Sequence, residues 1–281
     1  MPAKLQVSGA NNLIRFFAAI SLLWAAACTA SAEQPSDGMV EIPAGVFEPL
    51  YTSSSANRTG QDDDTERVER FFVDERAVTN AQYLEFVRQN PKWQRSQIPG
   101  LFADKSYLAH WHGDFDYGEP AFSTLPVVNV SWFAAVAYCR AQGKQLPTVA
   151  QWERAASASE TGTNVRDDAE FSARILEWYA SPADRPLTER VMKVGYRNLY
   201  GAWDMHGLIW EWTRDFNTAM VTGESRGDSG LQRQLFCGSG SIGAADPSDY
   251  ASFMRFAFRS SLGGRYTVGS LGFRCSLEPT I

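Results

Sequence analysis

Asn198 to Phe216 reads NLYGAWDMHGLIWEWTRDF, and its centre, Trp210-Glu211-Trp212, sets a carboxylate between two indoles. Tryptophans bring the largest apolar area to a core, and a carboxylate held among them needs hydrogen-bond partners or a cation. Glu211 is therefore read as a buried hydrogen-bonding carboxylate or a calcium ligand rather than a catalytic acid, with Trp210 and Trp212 as structure. Glycines and aromatics surround this core without helical or strand periodicity. The same holds for most of the chain from Tyr179 onward, where short strands and long ordered loops are expected.

Four segments punctuate the chain around that centre: FFVDERAVTNAQYLEFV (Phe71 to Val87), VVNVSWFAAVAYCRAQGKQLPTVAQWERAA (Val127 to Ala156), CGSGS (Cys237 to Ser241) and LGFRC (Leu271 to Cys275). Met39 to Phe47 is β-prone but interrupted by Pro43 and Gly45, which predicts an opening strand and a turn. Arg67 to Asp74 reads as a second strand. Thr79-Asn80-Ala81-Gln82 is a capping box ahead of Tyr83, Phe86 and Val87, so the first helix starts there. Ser131 caps a helix over about Trp132 to Gln142 that Gly143 ends, and Thr148-Val149-Ala150-Gln151 opens a third helix with another capping box. No internal repeat or low-complexity linker follows the first thirty-two residues, which predicts one domain over residues 33–281.

Those first residues, 1–32, differ from the rest. Lys4 and Arg15 precede an apolar run from Phe16 to Ala27, and Ala30-Ser31-Ala32 offers small residues for cleavage, so the segment reads as a secretory signal peptide. A spanning helix needs about 20 apolar residues, more than this run supplies. Ala26-Ala27-Cys28 resembles the end of a lipobox, but Ala25 stands where a larger aliphatic residue is preferred; soluble export to the periplasm or medium is favoured over lipidation at Cys28. Cleavage would leave 24 basic against 32 acidic residues, a net charge of −8, with no basic stripe. Nucleic acid is therefore excluded as a partner, and no transmembrane segment is expected after cleavage. Three cysteines would remain, Cys139, Cys237 and Cys275, an odd number that leaves at least one thiol over.

The Trp-Glu-Trp core and its flanking segments, in this order from about Met39 to Leu277, resemble the formylglycine-generating enzyme, or sulfatase-modifying factor, superfamily. The resemblance implies an α+β single domain, related to the C-type lectin fold and with limited regular secondary structure. It also implies a disulfide between Cys139 and Cys275, matching the A-Y-C and G-F-R-C cysteines. Family enzymes oxidise a substrate cysteine with molecular oxygen and copper(I), held by two thiolates shortly after the G-G-S segment. Soft copper(I) favours such ligands. Here that region, Ile242 to Phe253, reads IGAADPSDYASF and holds no cysteine. The usual Gly-Asn before the Trp-Glu-Trp core is Gly207-Leu208, which replaces a calcium-binding amide with an aliphatic side chain. Size, signal peptide and missing cysteines resemble the exported branch tied to pyoverdine maturation and nitrite-reductase clusters. That branch implies a periplasmic metabolite or protein as substrate, and an oxidoreductase or maturation factor as function. A non-catalytic, lectin-like binding module is the rival reading.

Candidate site residues follow from the same segments. Asp246, Asp249 and Tyr250 stand where the family active site lies and could bind a metal or orient a polar substrate; a turn at Asp246 and a helix cap at Asp249 is the equal alternative. Cys237 adjoins them as a candidate reactive thiol, beside the simpler reading of a buried cysteine. His110 and His112 could share a metal across Trp111 if the segment were a strand, although a hydrogen-bonded loop histidine beside a packed tryptophan is preferred. Trp111 and Arg259 are candidate substrate contacts, and Arg259 and Arg274 also suit loop-tying hydrogen bonds. The cofactor stays open among copper, iron, calcium and none. The acidic cluster Asp62-Asp63-Asp64 lacks calcium-loop spacing and reads as a solvated loop.

Overall fold

Two capping boxes govern how the helices of the computed structural model begin. The described residues are 37–48, 65–165, 168–180, 188, 195–217 and 250–279. Thr79 accepts a hydrogen bond from the Gln82 backbone while the Gln82 side chain returns to the Thr79 backbone, starting α1 (Asn80–Gln89). Ser131 accepts from Ala134 N to open α2 (Trp132–Ala141), and Thr148 with Gln151 repeats the box at α3 (Val149–Ala156). Each cap satisfies amides that a first turn otherwise leaves bare. Gly143, at φ 69°, takes the left-handed conformation that ends α2. Two further helices are α4 (Ala169–Ala180) and α5 (Tyr250–Ser261).

The strands are short. β1 (Met39–Ile42) and β2 (Gly45–Phe47) flank the break at Pro43, and β3 (Glu66–Val68) and β4 (Phe71–Asp74) follow. The single strand expected over Arg67 to Asp74 is thus two, because Glu69 and Arg70 leave the ladder between pairings with different partners: β3 runs antiparallel to β2, and β4 antiparallel to β1. β4 also pairs with β7 (Ser276–Leu277), giving a three-stranded sheet in the order β1-β4-β7. A second correction is α4, which lies in a stretch the sequence reading left without an element.

Trp210–Glu211 forms β5, parallel to β6 (Leu271–Gly272). Gly272 permits the close approach there: a Cβ would fall 2.4 Å from the Val127 carbonyl oxygen. One core cluster packs Tyr83, Trp111, Tyr138, Trp212 and Phe273 between α1 and α2; a second packs Ile42, Phe71, Trp152, Phe171 and Tyr196 beneath α3 and α4. A disulfide joins Cys139 of α2 to Cys275, with Cα atoms 5.6 Å apart. Gln34–Ile281 is one compact unit of mixed α and β structure. Among the described residues no helix is long and apolar enough to cross a membrane.

Candidate functional site

Glu211 is the hub from which the site is built. Its Oε2 accepts from Trp152 Nε1 at 2.8 Å and from Arg274 Nε at 2.8 Å, and its Oε1 accepts from Arg274 Nη2 at 2.8 Å. Arg274, equally buried, also donates to the carbonyls of Asp74 at 3.2 Å and Trp203 at 2.9 Å. A bidentate pair of this kind fixes planar groups in one geometry, and here it ties β4, α3, β5 and the segment after β6 together. The carboxylate is consumed by these bonds. The neighbouring Trp212 is fully buried and donates to the Val130 carbonyl at 2.9 Å, whereas Trp210 is only half-buried and faces a cleft.

That cleft is lined by Trp152 of α3, Trp178 and Tyr179 of α4, Met205, Ile209, Trp210 and Glu211, and Arg255, Phe258 and Arg259 of α5. The space between its walls, counted out to the open mouth, is about 280 Å³, and within it there is room for roughly one water molecule. Trp210 is sandwiched: its ring stacks on Tyr179 at 5.2 Å and on Phe258 at 4.3 Å, and Trp178 lies 5.0 Å away. The amphipathic period of α4 sets Phe171 and Ile175 into the core and carries Trp178 and Tyr179 to the cleft.

Beneath the rings sits a second ion cluster. Arg255 Nε donates to both Glu153 oxygens at 2.9 and 3.0 Å, and Arg259 Nη1 donates to Oε1 at 2.5 Å. Burial pushes the Glu153 carboxyl up, but the two guanidiniums outweigh it and bring it down to about 2. Arg255 further donates to the Tyr179 hydroxyl at 3.3 Å and to Ser252 Oγ at 2.8 Å. Burial raises the Tyr179 phenol against the opposing pull of Arg255. Arg259 lies 4.9 Å over the Trp152 ring. His206, behind Trp152, is buried; desolvation and Arg255 bring its pKa down to about 3, and its Nε2 bonds the Ala156 carbonyl at 2.9 Å.

The sequence-derived candidates divide between this cleft and other places. Arg259 lines it. Tyr250 begins α5 and is exposed, while Cys237, Asp246 and Asp249 lie outside the described residues, as do Cys28, the acidic triplet 62–64 and the 1–32 segment. Trp111 is 1% exposed in the first core cluster, its Nε1 donating to Asn80 Oδ1 at 3.0 Å, so its place is the core rather than a cleft wall. His110 contacts the same Asn80 oxygen at 3.4 Å, and His112 lies 3.7 Å from Asp116 on the surface. The segment is a turn rather than a strand, which removes the alternation that would aim both imidazoles one way. Asp114 is engaged with Ser96, and among the described residues no group of three or more His, Cys, Asp or Glu side chains converges. Sequence reasoning passed over Glu153, Trp178, Tyr179, Arg255 and Phe258. A signal existed in the i, i+4 spacing of Arg255 and Arg259 and in the adjacent aromatics at the end of α4.

Comparison with known proteins places this geometry in a family. The profile of the sulfatase-modifying factor enzyme 1-like domain matches residues 25–279. The formylglycine-generating enzyme of Streptomyces coelicolor is 30% identical over 257 aligned positions, spanning 75% of this chain and 79% of that protein. A Bos taurus protein named inactive C-alpha-formylglycine-generating enzyme 2 is 30% identical over 210 positions, 62% of this chain and 69% of its own. Among solved structures, that of CarF covers 88% of this chain and 99% of its own at 17% identity, with a TM-score of 0.42. A family profile spanning nearly the whole described chain and a relative at this identity lead to one conclusion: the chain belongs to the sulfatase-modifying factor, or formylglycine-generating-enzyme-like, family.

Proposed function

We propose that this protein is an exported maturation factor that acts as an oxidoreductase on a periplasmic metabolite or protein, with the cleft at Trp210 as its substrate site and without the paired copper cysteines of formylglycine-generating oxidases. The observation that carries this reading is the sequence that runs into α5, the helix that supplies Arg255, Phe258 and Arg259 to the cleft. Its first turn is Tyr250, Ala251, Ser252 and Phe253, and the preceding stretch from Ile242 carries aspartates rather than thiols. Cys139 and Cys275 are committed to each other. Cys237 is then the one thiol left after export, and one thiolate does not make a two-thiolate site. The residues present do not fit copper(I), which gains little from carboxylate and phenol oxygens.

The binding-module reading has an observation of its own. At the cleft Glu211 is spent on Arg274 and Tyr179 is held protonated, and beneath it Glu153 is held deprotonated, so neither Tyr179 nor Glu153 is poised to exchange a proton near neutral pH. Asp246, Asp249 and Cys237 would have to supply that chemistry if the protein is catalytic. Titration of the purified mature protein with copper(I) in competition with a chromogenic chelator tests the central point. No tight site is expected; a tight site of one equivalent would overturn the reading.

A further inference from the structure

We infer that the ribbon of residues 196–204 is a docking edge for an extended acidic segment of a partner protein, held by main-chain pairing at Arg197 and by the guanidiniums of Arg76 and Arg197. The inference takes up the protein alternative of the reading above, rests on that reading for nothing else, and requires no oxidative step.

The ribbon leaves a main-chain edge free. Asp204 N donates to the Tyr196 carbonyl at 3.0 Å and Asn198 N to the Ala202 carbonyl at 2.9 Å, which sets Arg197 opposite Trp203 in an antiparallel pair. In a pair of this kind both side chains lie close on one face, while the N–H and C=O of each residue point away from the other strand. Trp203 N donates to the Glu75 carbonyl at 2.8 Å, and the Trp203 carbonyl accepts from Arg274. On the other edge, the Arg197 N–H and C=O have no partner among the described residues. Such an edge is a template for an added strand.

The face beside that edge is positive. Arg76 lies 4.2 Å over the Trp203 ring, and Arg197 stands across the ribbon from the same indole; both are exposed. Arg67, Arg70, Arg88, Arg174 and Arg214 each meet a glutamate, as a chain with 32 acidic and 26 basic residues readily allows. Arg76 and Arg197 form no ion pair among the described residues, and Arg197 spends only Nε, on the Gly201 carbonyl at 3.2 Å. Arg154 of α3 adds a guanidinium 5.2 Å from the Tyr200 ring at the ribbon's tip, its Nε buried without a partner. Opposing these three are Glu75, whose Oε1 accepts from Trp203 Nε1 at 2.9 Å, and Asp204, which is buried and whose carboxyl is raised by that burial.

Edge and charge together select a peptide. Alternate side chains of an extended strand point one way about 7 Å apart, so pairing at Arg197 brings carboxylates on every second residue over the guanidinium and indole face. A nucleic acid needs a longer basic stripe than this ribbon holds.

Fluorescence anisotropy of labelled acetyl-Glu-Val-Glu-Val-Glu-amide with the purified mature protein tests this. The peptide should bind saturably at low salt, at least tenfold more tightly than its Gln-for-Glu counterpart. Arg76→Glu combined with Arg197→Glu should weaken binding at least tenfold while the melting curve stays unchanged, and the double Arg→Gln variant serves if the reversed protein does not fold. Methylating the central amide nitrogen of the peptide should weaken binding severalfold by blocking main-chain pairing. Absence of saturable binding, equal affinity for acidic and neutral peptides, or undiminished binding by the variants would each overturn the proposal. Undiminished binding of the methylated peptide would also overturn it, marking a surface for any polyanion. Peptide binding without oxidation of any substrate would uphold it while counting against the oxidative reading alone.

Discussion

Glu211 illustrates what a single residue can reveal before its partners are known. Two flanking tryptophans already mark a buried carboxylate, and the structure supplies the partners, Arg274 and Trp152. Removing it leaves the Arg274 guanidinium buried without its counter-charge, so Glu211→Ala should destabilise the fold by about 3 to 5 kcal/mol, read from the urea midpoint. An unchanged midpoint with lost function would assign Glu211 to chemistry instead. The pairing of Glu153 with Arg255 and Arg259 was not legible in the same way. The partners are 102 and 106 residues apart, and nothing in a charged residue's neighbourhood says which distant charge it meets.

Elements were legible where their ends carry a signal. The boxes at Thr79 and Thr148 and the cap at Ser131 placed the starts of α1, α2 and α3 to within a residue, because a cap is a local hydrogen-bond requirement. Thr148→Ala should cost about 1 kcal/mol, and Thr148→Ser should retain most of it. Since α3 carries Trp152 into the cleft and Glu153 beneath it, the same variant should also loosen the cleft, visible as a change in tryptophan fluorescence. The α4 helix escaped notice although Asp168 accepts from Phe171 N at 2.9 Å, an N-cap contact, and Phe171 and Ile175 keep helical spacing. The split of β3 from β4 was invisible for another reason: it depends on two different partner strands, and partner choice is a tertiary property.

At the scale of the molecule, His206 couples stability to acidity. Burial holds its pKa near 3, far below its ordinary value near 6.5, so the unfolded chain binds a proton that the folded chain refuses. Stability is full above the unfolded value and falls as pH drops toward 3, by about 1 kcal/mol per pH unit. Glu153, held at about 2, adds a loss in the same direction as pH falls below the ordinary carboxyl range. Asp74 and Asp204, pushed up by burial, act in the opposite sense in the more acid range, so the histidines are read most cleanly between pH 5 and 6.5. His110, brought down to about 4 chiefly by burial, contributes with the same sign in that window. Denaturation midpoints there should slope for the native protein, slope less in His206→Gln, and flatten when His110→Gln is added; a slope undiminished by His206→Gln would assign it to other groups.

The family and its disulfide were readable from motif order alone, since those motifs hold the chain's ends to its middle: Cys139 and Cys275 close a separation of 136 residues, worth about 5 kcal/mol in the chain-entropy model. The cleft was not, because its walls come from α3, α4, β5 and α5 and exist only once these pack. The Ile242 to Phe253 stretch has no thiol, and the proposed absence of the two-thiolate copper chemistry rests on it. The most direct measurement is mass spectrometry of a cysteine-containing sulfatase peptide incubated with the purified mature protein, copper(I) and oxygen. The peptide should return unchanged; copper-dependent aldehyde formation at its cysteine, abolished by a chelator, would contradict the account.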